Sequence, residues 1–167
     1  MAEKDKVHNG KIKQEGIFNF KDFYEFLYDY LTDQNYDVVE LKYVEKLKGE
    51  SKDIEIIWIA TKEVSDYFKF DIRVHWLIYG MKKIKAKREG EELIMDNGTM
   101  ELRFDAWLVK DWENRWENRP FWKFLRGVYD RFIVKSRVDD YGIKLWEESI
   151  EVINQAKSFL AVEGQSG

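Results

Sequence analysis

The chain has 167 residues, 44% apolar and 16% aromatic, a length that favours one domain and a composition that excludes intrinsic disorder, because so many rings must be buried. Lys and Arg number 28 against 32 Asp and Glu, for a formal net charge of −4; a dedicated nucleic-acid binder carries a basic excess to neutralise phosphates, so nucleic acid is not expected as a partner. With no cysteine in the chain, a disulfide scaffold and Cys-ligated zinc or iron–sulfur centres are excluded, and the composition fits a reducing compartment.

Residues 1–10 are polar, end at Gly10 and read as a disordered tail in which His8 is solvated. A single α+β domain is expected over 11–163, followed by a second disordered tail over 164–167. Lys11 to Ile17 offers Ile12 and Ile17 as anchors for a short edge strand. The first helix is well marked. Asn19 stands at its N-cap with Asp22 three residues on, and Phe18 and Phe23 occupy the staple positions. Phe20, Phe23, Tyr24, Leu27, Tyr30 and Leu31 then recur at helical spacing.

From Val38 to Val109 the period falls to two. In Tyr67 to Tyr79, Phe68, Phe70, Ile72, Val74, Trp76 and Ile78 point one way, and Lys69, Asp71, Arg73 and His75 the other. Thr99 to Val109 repeats the pattern, and Asp53 to Thr61 is more uniformly apolar. Val38 to Leu47, Lys82 to Arg88 and Glu92 to Met95 complete a predicted antiparallel meander of about six strands, with turns at Gly49, Gly90 and Asp96-Asn97-Gly98. Helical period then returns. Pro120 suits a first turn, and Phe121, Phe124, Leu125, Val128, Tyr129, Phe132 and Ile133 form an apolar stripe. Val138, Tyr141, Leu145, Trp146, Val152, Ile153, Ala156, Phe159 and Leu160 extend it towards the C-terminus. The predicted class is α+β, with an N-terminal helix and a long C-terminal helical region on one face of the sheet.

The chemical inventory is thin. The sequence holds no phosphate-binding glycine loop, no nucleophile elbow and no His pair at metal spacing, so neither metal nor cofactor is expected. His75 is the one histidine inside the predicted domain, on the polar side of its strand near Arg73 and within reach of Arg103 or Asp105. Such a pair serves as a general base or merely as a solvated cross-strand contact. The tandem tetrad Trp112-Glu113-Asn114-Arg115 and Trp116-Glu117-Asn118-Arg119 lies between Trp107 and Trp122. These aromatics either seal the corner between sheet and helices or, with Arg115 and Arg119, form a docking patch. Lys82 to Arg88 carries five positive charges in seven residues. Lys83, Lys85 and Lys87 share one face, which offers an anion-binding strip or protects an edge strand.

The order of elements is similar to the helix-grip architecture of START-type and pollen-allergen-type lipid-binding domains. The resemblance covers most of the chain and is one of element order. It implies a sheet gripping the final helix over an apolar cavity lined by Phe70, Ile72, Trp76, Phe104, Phe124, Val128 and Phe132. The functional expectation is a non-enzymatic module that engages an apolar small molecule or a protein partner through the surface around Trp107, Trp112, Trp116 and Trp122. An enzyme built on His75 and neighbouring carboxylates is one alternative; weak nucleic-acid or anionic-membrane contact through Lys82–Arg88 is the other. No apolar run approaches the roughly 18 residues of a membrane span, and Met1 to Lys13 lacks an apolar signal core. A cytoplasmic location is therefore expected. Peripheral membrane contact is not, because the amphipathic stripe from Phe121 is needed to cover the sheet.

Overall fold

The computed structural model describes residues 3–112, 124, 128 and 135–164. A first strand, β1 (Glu3–Phe18), leads directly into helix α1 (Phe20–Asp33). Four strands follow, β2 (Asp37–Lys48), β3 (Ser51–Glu63), β4 (Phe68–Arg88) and β5 (Glu91–Lys110), and a 30-residue helix, α2 (Lys135–Gly164), ends the described chain. The strands form one antiparallel sheet in the order β1-β5-β4-β3-β2. No described helix is long and apolar enough to cross a membrane.

The sheet has five strands instead of six. Lys82–Arg88 continues β4 and Glu92–Met95 continues β5. At Gly80 (φ +61) the register shifts between Tyr79 and Lys82, so β4 bends there and runs on. Opposite the bend, Asp96-Asn97-Gly98 does not turn, although its dipeptide chemistry predicts one. Gly98 is present for space: a Cβ there would stand 2.9 Å from the Tyr79 carbonyl oxygen and 3.0 Å from the Met81 Cα. The N-terminus also departs from expectation. Residues 3–10 are the first half of β1, paired with β5 from Glu3↔Lys110 onward. A bulge between Lys6 and His8 breaks their alternation, which hides the strand from a period-two reading. His8 is accordingly not a solvated residue. Its Nδ1 lies 3.0 Å from Ser149 Oγ on α2, and its ring meets Trp146 edge-on. Packing is so close here that a Cβ at Gly10 would collide with Ile153.

One face of the sheet is apolar and covered. Ile56 and Trp58 of β3, Phe70, Ile72 and Trp76 of β4, and Leu102 and Phe104 of β5 are all buried. Phe23, Leu27 and Leu31 of α1 and Leu145, Val152, Ala156 and Leu160 of α2 close over them. Fully burying one such side chain contributes about 1.5–3 kcal/mol. Trp76 is the hub, 5.0 Å from Trp58 and 5.3 Å from Phe23 between ring centroids. The helix that covers it is fixed by two acceptors at its start. Asn19 Oδ1 accepts from the Asp22 N–H at 3.1 Å, as the sequence predicts. Asp96, 2% exposed, reaches over from β5 to accept from the Phe20 N–H at 2.9 Å, and Lys83 pairs with it at 2.8 Å. The failed turn is thus a second cap, a carboxylate at the positive end of a helix. Asp96→Ala is expected to lower stability by about 1–3 kcal/mol in urea unfolding; an unchanged midpoint would remove the capping role.

Candidate functional site

Four of the expected cavity residues, Phe70, Ile72, Trp76 and Phe104, are 0–1% exposed and fill the core. Among the described residues they are packed against the aromatic side chains of α1, in the space the helix-grip resemblance would leave open. Phe124 and Val128 are exposed, at 68% and 37%, and Phe132 lies outside the described residues. Trp112 acts at a corner. Its Nε1 donates to the Ser65 carbonyl at 2.9 Å, beside a 2.7 Å bond from the Asp111 N–H to the Tyr67 carbonyl. It therefore ties the end of β5 to the β3–β4 turn. Trp116, Trp122, Arg115 and Arg119 lie outside the described residues.

A larger concavity lies elsewhere, between the sheet and α2. The N-terminal half of β1 contributes Asp5 and Val7, the end of β5 contributes Leu108, and α2 contributes Val138, Asp139, Gly142, Ile143 and Trp146. Together they line an open groove of about 540 Å³. Its floor and walls are apolar; Asp5 and Asp139 stand with it as the two charged groups, and Asp5 pairs with Lys110 at 3.1 Å. Ile143 and Trp146 are 57% and 47% exposed. Gly142 makes the groove possible. It lies inside α2, where glycine costs about 1 kcal/mol relative to alanine, and a Cβ there would meet no atom within 4 Å. Val138 and Trp146 were legible as one helical stripe, but Val7 was hidden in the supposed tail. The one sequence signal that could have found the groove is Gly142, a glycine amid the apolar positions of a helix, and it went unread.

The other face of the sheet is charged, and the parity of Trp107 places it there as expected. Lys6 Nζ sits 5.3 Å from the centre of its ring. Beside it lies a depression of about 230 Å³ lined by Lys4, Ile59, Asp71, Arg73 and Trp107. The remaining charges on this face form cross-strand pairs: Lys11–Glu101 and Lys6–Asp105 at 2.7 Å, and Lys48–Asp53 at 2.7 Å. His75 belongs to this ladder. Arg103 lies opposite it on β5, but its partner is Glu55 on β3, with Nε2 3.0 Å from Oε2. Lys42 holds the same carboxylate from β2. The hydrogen bond from Lys42, then that from His75, holds the Glu55 carboxyl below its ordinary value. Lys11 does the same to Glu101, and Lys48 with the Gly80 N–H to Asp53. The basic run is likewise faced by acids, with Lys83 on Asp96 and with Lys87 and Arg88 opposite Glu92 and Glu91.

Comparison with family models, with curated proteins and with solved structures finds no match.

The lowered carboxyls set a pH dependence. Each is more acidic folded than unfolded, so its stabilising contribution is complete above the unfolded value, near 4, and is lost as pH falls through the lower folded value. The thermal midpoint is expected to fall from about pH 4 downward, with a shallower fall in a Glu55→Gln, Glu101→Gln double variant. Salt should flatten both curves, because these pairs are exposed to screening. Superimposable acid limbs for variant and parent would remove the ladder's role.

Proposed function

We propose that the chain is a non-enzymatic binding module that holds an apolar small molecule in the groove between β1, β5 and α2. The observation that carries this reading is the groove itself. About 540 Å³ of space with walls of Val7, Leu108, Val138, Ile143 and Trp146 falls within the roughly 300–1,000 Å³ of small-molecule sites. The sequence reading likens the element order to helix-grip lipid-binding domains, which would hold a ligand between the sheet and the final helix, and the groove lies between those two layers. The location differs from the expected one: the ligand would lie towards the first half of α2, beside the buried core. Asp5 and Asp139 at the groove disfavour an anionic end group, and the apolar walls disfavour burying a cation, so the proposed ligand is neutral. The enzymatic alternative draws less support, since His75 is bound into a row of ion pairs on the opposite face.

The test is fluorescence titration of the full chain with N-phenyl-1-naphthylamine, a neutral apolar probe. Saturable enhancement at one site is expected. Gly142→Phe places a ring where a Cβ has open space and should weaken uptake about tenfold or more, equivalent to about 1.4 kcal/mol. The melting temperature should hold or rise, because phenylalanine is the better helix former. Absence of saturable uptake by the parent, or equal uptake by a folded Gly142→Phe protein, overturns the proposal.

A further inference from the structure

We propose that the margin of the sheet where α1 meets the edge strand β2 binds a small, free quaternary ammonium ion of the choline type. Tyr24 and Tyr28, one turn apart on α1, both meet Trp58 of β3 edge-on, at 4.9 and 6.1 Å between ring centroids. On β2, Glu40 stands opposite Trp58, and Tyr43 stands opposite Ile56, the next residue on the same face of β3. The bulge between Glu40 and Lys42 is what brings Glu40 and Tyr43, three residues apart, to one side of the strand.

Three tyrosines and two carboxylates thus share one margin. The Tyr24 hydroxyl donates to Glu40 Oε1 at 2.7 Å, and Trp58 Nε1 donates to the same oxygen at 3.2 Å. Both donors are neutral, and Glu40 forms no ion pair among the described residues, so its charge stays uncompensated. Glu45 accepts from the Tyr43 hydroxyl at 2.8 Å and holds Lys52 at 3.5 Å. Burial, then the Glu40 carboxylate, pushes the Tyr24 hydroxyl up to about 12, as a negative local field requires. The groups are within reach of a solute: Glu40 is exposed, and Tyr28 and Tyr43 are 42% and 43% exposed. The cations that sit over aromatic rings among the described residues, Lys6 and Lys62, do so at Trp107 and Tyr36, so these tyrosines are not already occupied by one.

This chemistry selects the ligand. An anion is repelled by Glu40 and Glu45. No group of three or more acidic or histidine side chains that could hold a metal ion exists among the described residues. A primary ammonium is strongly hydrated, and aromatic rings do not replace the water it would give up. A quaternary ammonium has no N–H to satisfy. Its methyl groups spread the charge and lie against aromatic rings, which attract it through their quadrupoles, while Glu40 supplies the counter-charge.

The experiment is NMR titration of the full chain with choline, with 3,3-dimethyl-1-butanol, its neutral isostere, and with ethanolamine, its primary ammonium counterpart. Choline should bind saturably and shift the Tyr28 and Tyr43 ring resonances, and the other two should bind about tenfold or more weakly. Tyr28→Leu removes an exposed ring, and Glu40→Gln removes the charge while keeping an oxygen for Tyr24 and Trp58; each should weaken choline by a similar factor. Phosphocholine separates the free ion from a lipid headgroup: Glu40 and Glu45 repel its phosphate, so it should bind more weakly than choline. Gly142→Phe should leave choline binding unchanged, which separates this site from the groove. No saturation by choline up to the order of 10 mM, too weak to count as a site, overturns the proposal. So does equal binding of the neutral isostere or of phosphocholine, or a folded Tyr28→Leu protein that binds choline as the parent does. If Glu40→Gln does not fold, Tyr28→Leu and the isostere decide.

Discussion

An antiparallel sheet with one apolar face cannot leave that face in water, and the rest of this molecule follows from how it is covered. Trp58, Trp76 and Phe104 present large rings at the centre of the inner face, and α1 and α2 bury them together. The helices in turn are held by polar contacts that the sheet supplies at its margins. Asp96 caps α1 from β5, and Lys62 of β3 pairs with Glu148 of α2 at 2.6 Å, both side chains about four-fifths buried. Lys62 also sits 5.0 Å from the ring centre of Tyr36, whose hydroxyl is pushed above its ordinary acidity constant by burial. At the edge strand β2, Glu40 points inward and accepts from the Tyr24 hydroxyl at 2.7 Å and from Trp58 Nε1 at 3.2 Å. That inward charge and the bulge after Glu40 also blunt the edge against pairing with another chain.

Most of this architecture was legible because burial imposes a period. α1, the alternating segments of β3, β4 and β5, and the apolar stripe of α2 each follow from which side chains must leave water. What stayed hidden is held by something other than burial. The first half of β1 is joined to β5 by ladder hydrogen bonds, with Lys4, Lys6 and Asn9 in register and no apolar alternation to announce them. Backbone pairing leaves no mark on side-chain pattern. Glycine misled for a related reason: the residue that permits a tight turn also permits the bend at Gly80 and the close approach at Gly98, and only the partner strand decides between them.

The candidate sites were less legible than the fold. Trp107 was placed on the charged face by parity alone, and it stands there. Its neighbours in the depression come from β1, β3 and β4, so their convergence required the register of three pairings at once. The groove asked for still more, since Val7 enters it from beyond a bulge and Gly142 enters it as a missing side chain.

Burial also assigns the two faces different chemistry. On the inner face, the groove at Gly142 lies where the helical cover lacks a side chain, and its walls are apolar. On the outer face no described helix forms a cover, and charges satisfy each other across strands. Asp71 lies between Lys4 and Lys69, at 3.5 and 3.8 Å. The pairs on this face range from 2.7 Å at Lys6–Asp105 through 3.0 Å at His75–Glu55 to 3.3 Å at Arg103–Glu101, so backbone pairing fixes how closely each side chain can approach its partner.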